Sequence, residues 1–121
     1  MRIRRISDDV VLVVLPKEPQ LRAELAKINE TLGNTTECDV IIDFSPVEII
    51  TSSSISNLMI LSKLLSDRGR QLVLFNVALP TKGIFKTVGL DAVFHFAMDK
   101  LAAIAAIEQV KLLKAEVQDQ A

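Results

Sequence analysis

Asp43-Phe44-Ser45-Pro46-Val47-Glu48-Ile49-Ile50-Thr51-Ser52-Ser53-Ser54-Ile55-Ser56-Asn57-Leu58 decides how this chain folds. Ahead of it, Val40-Ile41-Ile42 is an unalternated apolar run, the pattern of a strand buried on both faces. The strand feeds a short turn, and the turn ends in hydroxyl side chains that open an apolar helix. A helix N-terminus carries backbone N–H groups without intrahelical acceptors, and its dipole favours negative charge. Ser52 and its neighbours therefore stand where a phosphate is readily added or recognised. Hydrolysis is a poor fit, because nothing nearby in the sequence activates a serine.

Working outward, Met1 to Ile6 and Val10 to Leu15 read as two strands joined by the turn-forming Ser7-Asp8-Asp9. After the break from Pro16 to Pro19 comes a helix with Leu21, Leu25, Ile28 and Leu32 on one face, and Gly33-Asn34 is expected to close it. Cys38 to Asp43 forms the third strand. The second helix spans Ser53 to Asp67, ends at Arg68-Gly69-Arg70, and carries more apolar residues than one stripe requires. Gln71 to Phe75 is the fourth strand. Leu79-Pro80-Thr81 starts a short helix that stops at Gly89, and Val93 to Phe96 is the fifth strand. Asp99 caps an alanine-rich last helix with Leu101, Ile104, Ile107 and Leu112 on its apolar face. A strand pair followed by alternating helices and strands predicts an α/β fold, a mixed β-sheet of about five strands with about four helices packed on it. Residues 1–113 are expected to form one domain, with 114–121 as a polar, frayed tail.

Composition narrows the function. The chain has 121 residues, 50% hydrophobic and 24% charged, which is globular usage with enough length for a core. A formal net charge of -1 argues against nucleic acid as a partner, because phosphate contacts need a basic face. The one basic cluster, Arg2, Arg4 and Arg5, alternates with Ile3 and Ile6 as a solvated edge strand would. The single cysteine, Cys38, cannot form an internal disulfide, which fits a reducing cytoplasm. No signal peptide is expected, and no apolar run approaches the roughly 20 residues that span a bilayer.

Enzymatic signatures are absent from the sequence. No glycine-rich phosphate loop and no nucleophile elbow occurs. His95 is the only histidine and sits between Phe94 and Phe96 in an expected strand, where a structural or solvent-facing role accounts for it. One His and one Cys do not make a metal ligand set, and no cofactor is expected. Asp43 and Glu48 form a carboxylate pair that turn and capping roles explain. Aromatic residues amount to 4%, too few for stacking on bases or sugars.

Thr51-Ser52-Ser53-Ser54-Ile55-Ser56, preceded by Asp43-Phe44-Ser45 and Ile49-Ile50, resembles the core motif of the STAS family, the sulphate-transporter and anti-sigma-factor-antagonist domains. Bacterial antagonists of that family commonly carry Asp-Ser-Ser-Gly-Leu-Gly there. Downstream, Leu72 to Phe75, Leu79-Pro80-Thr81 and Phe85 through Val88-Gly89-Leu90 resemble the family's next strand, short helix and glycine turn. The resemblance implies an anti-sigma-factor antagonist that binds an anti-sigma factor which is also a serine kinase. It further implies phosphorylation at Ser52, with Ser53 as second choice, partner contacts through Thr51, Ser52, Ser53, Ser54, Ile55 and Ser56, and a phosphatase as a candidate third component. The same fold serves as an accessory subunit docking on a lipid-transporting ABC ATPase, which is the alternative reading. A third, nucleotide binding, rests on the anion-friendly helix terminus alone. Apolar excess on the second helix would suit a homodimer.

The switch has a simple physical basis. A phosphate adds about −1.5 to −2 charges and three acceptor oxygens. A helix N-terminus tolerates that charge, whereas a dry partner interface must desolvate it. Ser52→Glu is therefore expected to abolish partner binding with the fold intact. The motif departs from the family pattern in three ways. Thr51 replaces the usual Asp, Ser54 and Ser56 replace the glycines, and the Gly-x-Leu-Asp-type turn is missing near Pro16 to Pro19.

Overall fold

A computed structural model describes residues 2–35 and 37–119. The hairpin pairs β1 (Arg2–Ser7) antiparallel with β2 (Val10–Val14), and the bulge between Arg5 and Ser7 lies next to its turn. From β2 onward every neighbour is parallel: β3 (Asp39–Asp43), β4 (Leu72–Phe75) and β5 (His95–Ala97) follow in sequence order, giving β1-β2-β3-β4-β5. Parallel neighbours need crossovers, and the helices supply them. They are α1 (Gln20–Thr35), α2 (Ser52–Asp67) and α3 (Leu79–Thr87), with α4 (Lys100–Asp119) closing the chain. The expected mixed sheet and four helices are thus present among the described residues.

Alternation along the strands divides the core between two faces. Val11, Val13, Val40, Ile42 and Leu74 pack with Leu21, Leu25 and Ile28 of α1, Leu58, Leu61 and Leu65 of α2, and Phe85 of α3. On the opposite face Val10, Leu12, Ile41, Val73 and Phe75 pack with Ala103 and Ile107 of α4. Covering both faces explains why β3 reads as a continuous apolar run. Helix α2 stops where the sequence predicts. Gly69 adopts φ +69, and the N–H groups of Gly69 and Arg70 return to Ser66 O (3.0 Å) and Leu65 O (2.8 Å).

Most strand and helix ends lie within a residue of the sequence reading, and three boundaries differ in ways that have a physical reason. Helix α1 continues through Gly33-Asn34 to Thr35. Glycine costs a helix about 1 kcal/mol, a preference and not a stop. β5 occupies His95–Ala97, and Phe94 lies buried ahead of it against Phe85, with ring centroids 5.4 Å apart. Helix α4 runs on to Asp119, past Lys114, where a polar tail was expected. Polar anchors hold its second half: Lys111 Nζ lies 2.6 Å from Asp9 Oδ2, and Lys114 Nζ donates to Gly69 O at 2.9 Å. Arg70 joins the same cluster at the amino end of the sheet, with Nε 3.4 Å from the buried Asp39. The Lys111 hydrogen bond foremost, against some desolvation, holds Asp9 below the usual carboxylate range, and the same bond holds Lys111 above its usual one.

Candidate functional site, the start of the second helix

Helix α2 begins where Thr51 caps it. Thr51 is extended (φ −90, ψ 162), its Oγ1 accepts the Ser54 N–H at 3.2 Å, and its carbonyl accepts the Ile55 N–H at 3.0 Å. Ser52, Ser53 and Ser54 are consequently the first three helical residues, one position earlier than the sequence predicts for the helix start. Their surroundings differ sharply. Ser52 and Ser53 are exposed, and their backbone N–H groups have no acceptor among the described residues, as the first N–H groups of a helix do not. Ser52 Oγ likewise has no hydrogen-bond partner among the described residues, and Ser53 O accepts from Asn57 Nδ2 at 3.1 Å. Ser54, by contrast, is 0% exposed.

Burial corrects part of the expected contact surface. Thr51, Ser52, Ser53 and Ser56 face solvent, but Ser54 and Ile55 are buried in the domain, at 0% and 8% exposed. A helix starting at Ser52 turns its third and fourth residues inward, toward the sheet, once Leu58 and Leu61 define the buried stripe.

A residue outside the motif completes the helix start. Glu18, in the turn between β2 and α1, accepts the Thr51 N–H at 2.8 Å and the Ser54 hydroxyl at 2.7 Å, both on Oε2. Burial pushes the Glu18 carboxyl up, but the hydrogen bonds from Ser54 and Thr51 outweigh it and hold the group below its usual range. A carboxylate therefore does stand at this helix terminus, delivered from a distant turn, although Thr51 occupies the place of the motif's Asp. No local pattern marks Glu18. The signal is topological: β2 and β3 are parallel neighbours with Val14 opposite Asp43, so the turns that leave them emerge side by side.

The turn after β3 is held from the other flank. Asp43 Oδ1 accepts from the Ser45 N–H at 2.8 Å and from the Ser45 hydroxyl, and Asn76 Nδ2 after β4 reaches Asp43 Oδ1 (3.3 Å) and Ser45 Oγ (3.0 Å). Asn76 itself sits at φ 57, in the left-handed region that asparagine tolerates. Asp43 is thus a turn anchor, and Glu48 is exposed beside Lys17, Glu18 and Ile49 around a groove of about 180 Å³. His95 is exposed on β5, and no group of three or more His, Cys, Asp or Glu that could hold a metal ion occurs among the described residues.

Apolar side chains crown the same end of the sheet. Ile49 before α2, Leu79 at the start of α3, and Met98 after β5 are 70%, 82% and 86% exposed, and Leu101 at the start of α4 is exposed as well. An exposed apolar side chain is costly to hydrate, and these four lie on turns and helix starts at one end of the sheet.

The family model for the STAS domain matches residues 3–103. The chain belongs to the STAS family. Among solved structures, this STAS domain is similar to an anti-sigma factor antagonist of Thermotoga maritima, described as putative (18% identity, 86% of this chain and 92% of that one, TM-score 0.75). It is also similar to a serine-to-glutamate variant of RsbS from Moorella thermoacetica (17% identity, 91% and 96% covered, TM-score 0.77). A third is the Bacillus cell fate determinant SpoIIAA in its phosphorylated form (18% identity, 90% and 97% covered, TM-score 0.57). At these identities the likeness is one of fold. Sequence comparison with curated proteins gives no match. No described helix of this STAS domain is long and apolar enough to cross a membrane.

Proposed function

We propose that this STAS domain is a regulatory protein-binding module, an anti-sigma-factor antagonist that binds an anti-sigma factor with serine kinase activity and is released when Ser52 is phosphorylated. One observation carries the reading. Ser52 is an exposed first helical residue with unpaired N–H groups around it, at the end of the sheet where Ile49, Leu79 and Met98 are exposed. An apolar surface that becomes dry on binding is where an added phosphate costs most, because its charge must be stripped of water. Two of the similar structures are a phosphorylated SpoIIAA and a serine-to-glutamate RsbS, which agrees with a switch built on a serine.

The division of labour follows from the site. Ser52 Oγ attacks the terminal phosphorus of a nucleoside triphosphate, the nucleoside diphosphate leaves, and the hydroxyl proton passes to a base. That base belongs to the kinase, since this chain places none against Ser52 Oγ among its described residues. The domain contributes an accessible hydroxyl and a helix terminus that accommodates the product. Of the three serines, Ser54 is buried and engaged by Glu18, which leaves the exposed Ser52 and Ser53, and the motif's register puts Ser52 first and Ser53 second.

Affinity capture from the native cell with wild-type and Ser52→Glu baits tests the proposal. Capture of a serine kinase-like protein by wild type and its loss with Ser52→Glu is the expected result. Equal capture of one partner by both baits, a transport ATPase for example, would overturn the switch.

A further inference from the structure

Glu18 does something at this site that a capping motif alone does not. Its single Oε2 atom takes two hydrogen bonds from α2, one from the Thr51 backbone and one from the buried Ser54 hydroxyl. Those bonds tie the turn between β2 and α1 to the first turn of α2, a separation of 33 and 36 residues along the chain. The tether is also ionic. Glu18 is held as a carboxylate, and it complements the positive end of the α2 dipole. Ser52 follows Thr51 directly, so a group attached to Ser52 Oγ shares that end of the helix with Glu18. The helix terminus supplies only about half a unit of positive charge, and the Ser52 and Ser53 N–H groups are the ones left to give.

We infer that Glu18 is a positioning residue coupled to the modification state of Ser52: phosphate on Ser52 competes with Glu18 for the start of α2 and loosens the turn from Lys17 to Gln20. The inference rests on Ser52 as the phosphoacceptor and adds a consequence for shape. Lys17, Glu18, Glu48 and Ile49 line one groove, so weakening the Glu18 tether changes that groove's walls as well as its charge. A partner reading this surface meets two differences between the modified and unmodified forms. Like charges at one helix end, one covalently fixed and the other on a surface turn, move the turn and leave the helix in place. Helix α2 is held independently by Leu58, Leu61 and Leu65 in the core.

The test uses the purified full chain without any partner. Phosphoserine is installed at position 52 during translation, in the wild-type background and in Glu18→Gln, which keeps the side chain's shape and an acceptor but removes the charge. In the wild-type background the Thr51 amide is expected to exchange with solvent at least about threefold faster when position 52 is phosphorylated, and the folding equilibrium constant to fall by a similar factor. In Glu18→Gln both effects shrink toward none. If Glu18 were purely structural, Glu18→Gln would lower stability with and without phosphate and leave the phosphoserine effect the same in both backgrounds. Equal effects in both backgrounds, or unchanged Thr51 protection in the wild-type background, overturn the coupling. Neither result bears on partner capture, so the coupling and the partner switch fail separately.

Discussion

Glu18 Oε2 stands 2.7 Å from Ser54 Oγ, and this contact separates one serine of the cluster from its neighbours. Thr51 caps, Ser52 and Ser53 remain open, and Ser54 is closed off by a carboxylate from another turn. Ser54→Ala removes the donor and leaves Thr51 as Glu18's remaining tie to α2, beside the Arg22 N–H of α1. A loss of about 1–2 kcal/mol in denaturant unfolding is expected. Partner capture should persist, because the Ser54 side chain offers no surface. Mapping phosphate on material from the native cell should find none at Ser54. Phosphate there would require the helix start to open.

Acid should weaken the fold partly through Glu18. Its carboxyl titrates below the usual range in the folded chain, so folding favours the ionised form. That contribution is fully present above the usual glutamate value of about 4.3 and is lost as pH falls below it. Asp9 is shifted in the same direction, mainly by its Lys111 hydrogen bond, and adds to the acid loss. Urea unfolding at neutral pH and near pH 3 measures the sum. In Glu18→Gln the gap between the two conditions should narrow yet persist, since Asp9 still titrates. An unchanged gap would remove Glu18 from the account.

The contrast between Glu18 and Leu58 explains how much was legible in the sequence. Periodicity places Leu58, Leu61 and Leu65 in the core, because apolar spacing is a local pattern, and the structure buries all three. The alternation of strands and helices follows from the same kind of signal, whereas the order of strands in the sheet came only with the structure. The resemblance puts Ser54 and Ile55 on the contact surface because a motif in sequence has no inside or outside until the helix phase is fixed. Glu18, Asn76 and the Lys111 contact with Asp9 depend on which turns and helix ends meet across the sheet, and composition holds no trace of that. Gly33 failed as a stop signal for a related reason, since a small local penalty yields to the rest of the helix.

Packing beneath the serines should govern stability without touching recognition. Leu58 is 0% exposed and lies in the cluster shared by α1, α2 and the sheet. Leu58→Ala is expected to cost about 2–5 kcal/mol, through lost burial and the cavity left behind. Thermal unfolding and urea titration should agree on the loss. At temperatures where the variant is still folded, capture of a partner should match wild type.

Lys111 tests whether the second half of α4 belongs to the folded domain. Its ammonium lies 2.6 Å from Asp9 Oδ2, at the turn of the β1–β2 hairpin, with Glu108 Oε1 3.7 Å away. The pair is partly exposed, so its worth is at most about 1 kcal/mol and falls with salt. Lys111→Met keeps the aliphatic stem and removes the charge. The expected result is a small loss of global stability, with faster amide exchange over α4 beyond Lys111 as the main effect. Raising the ionic strength of the wild-type protein should move it toward the variant. Raising pH should do the same from the other side. Lys111 titrates above its usual value when folded, so its contribution is complete below about pH 10.4 and disappears above that. Exchange in α4 that ignored the substitution, salt and pH alike would mean that Lys114 on Gly69 O and the buried Ala103 and Ile107 hold the helix without help from Asp9.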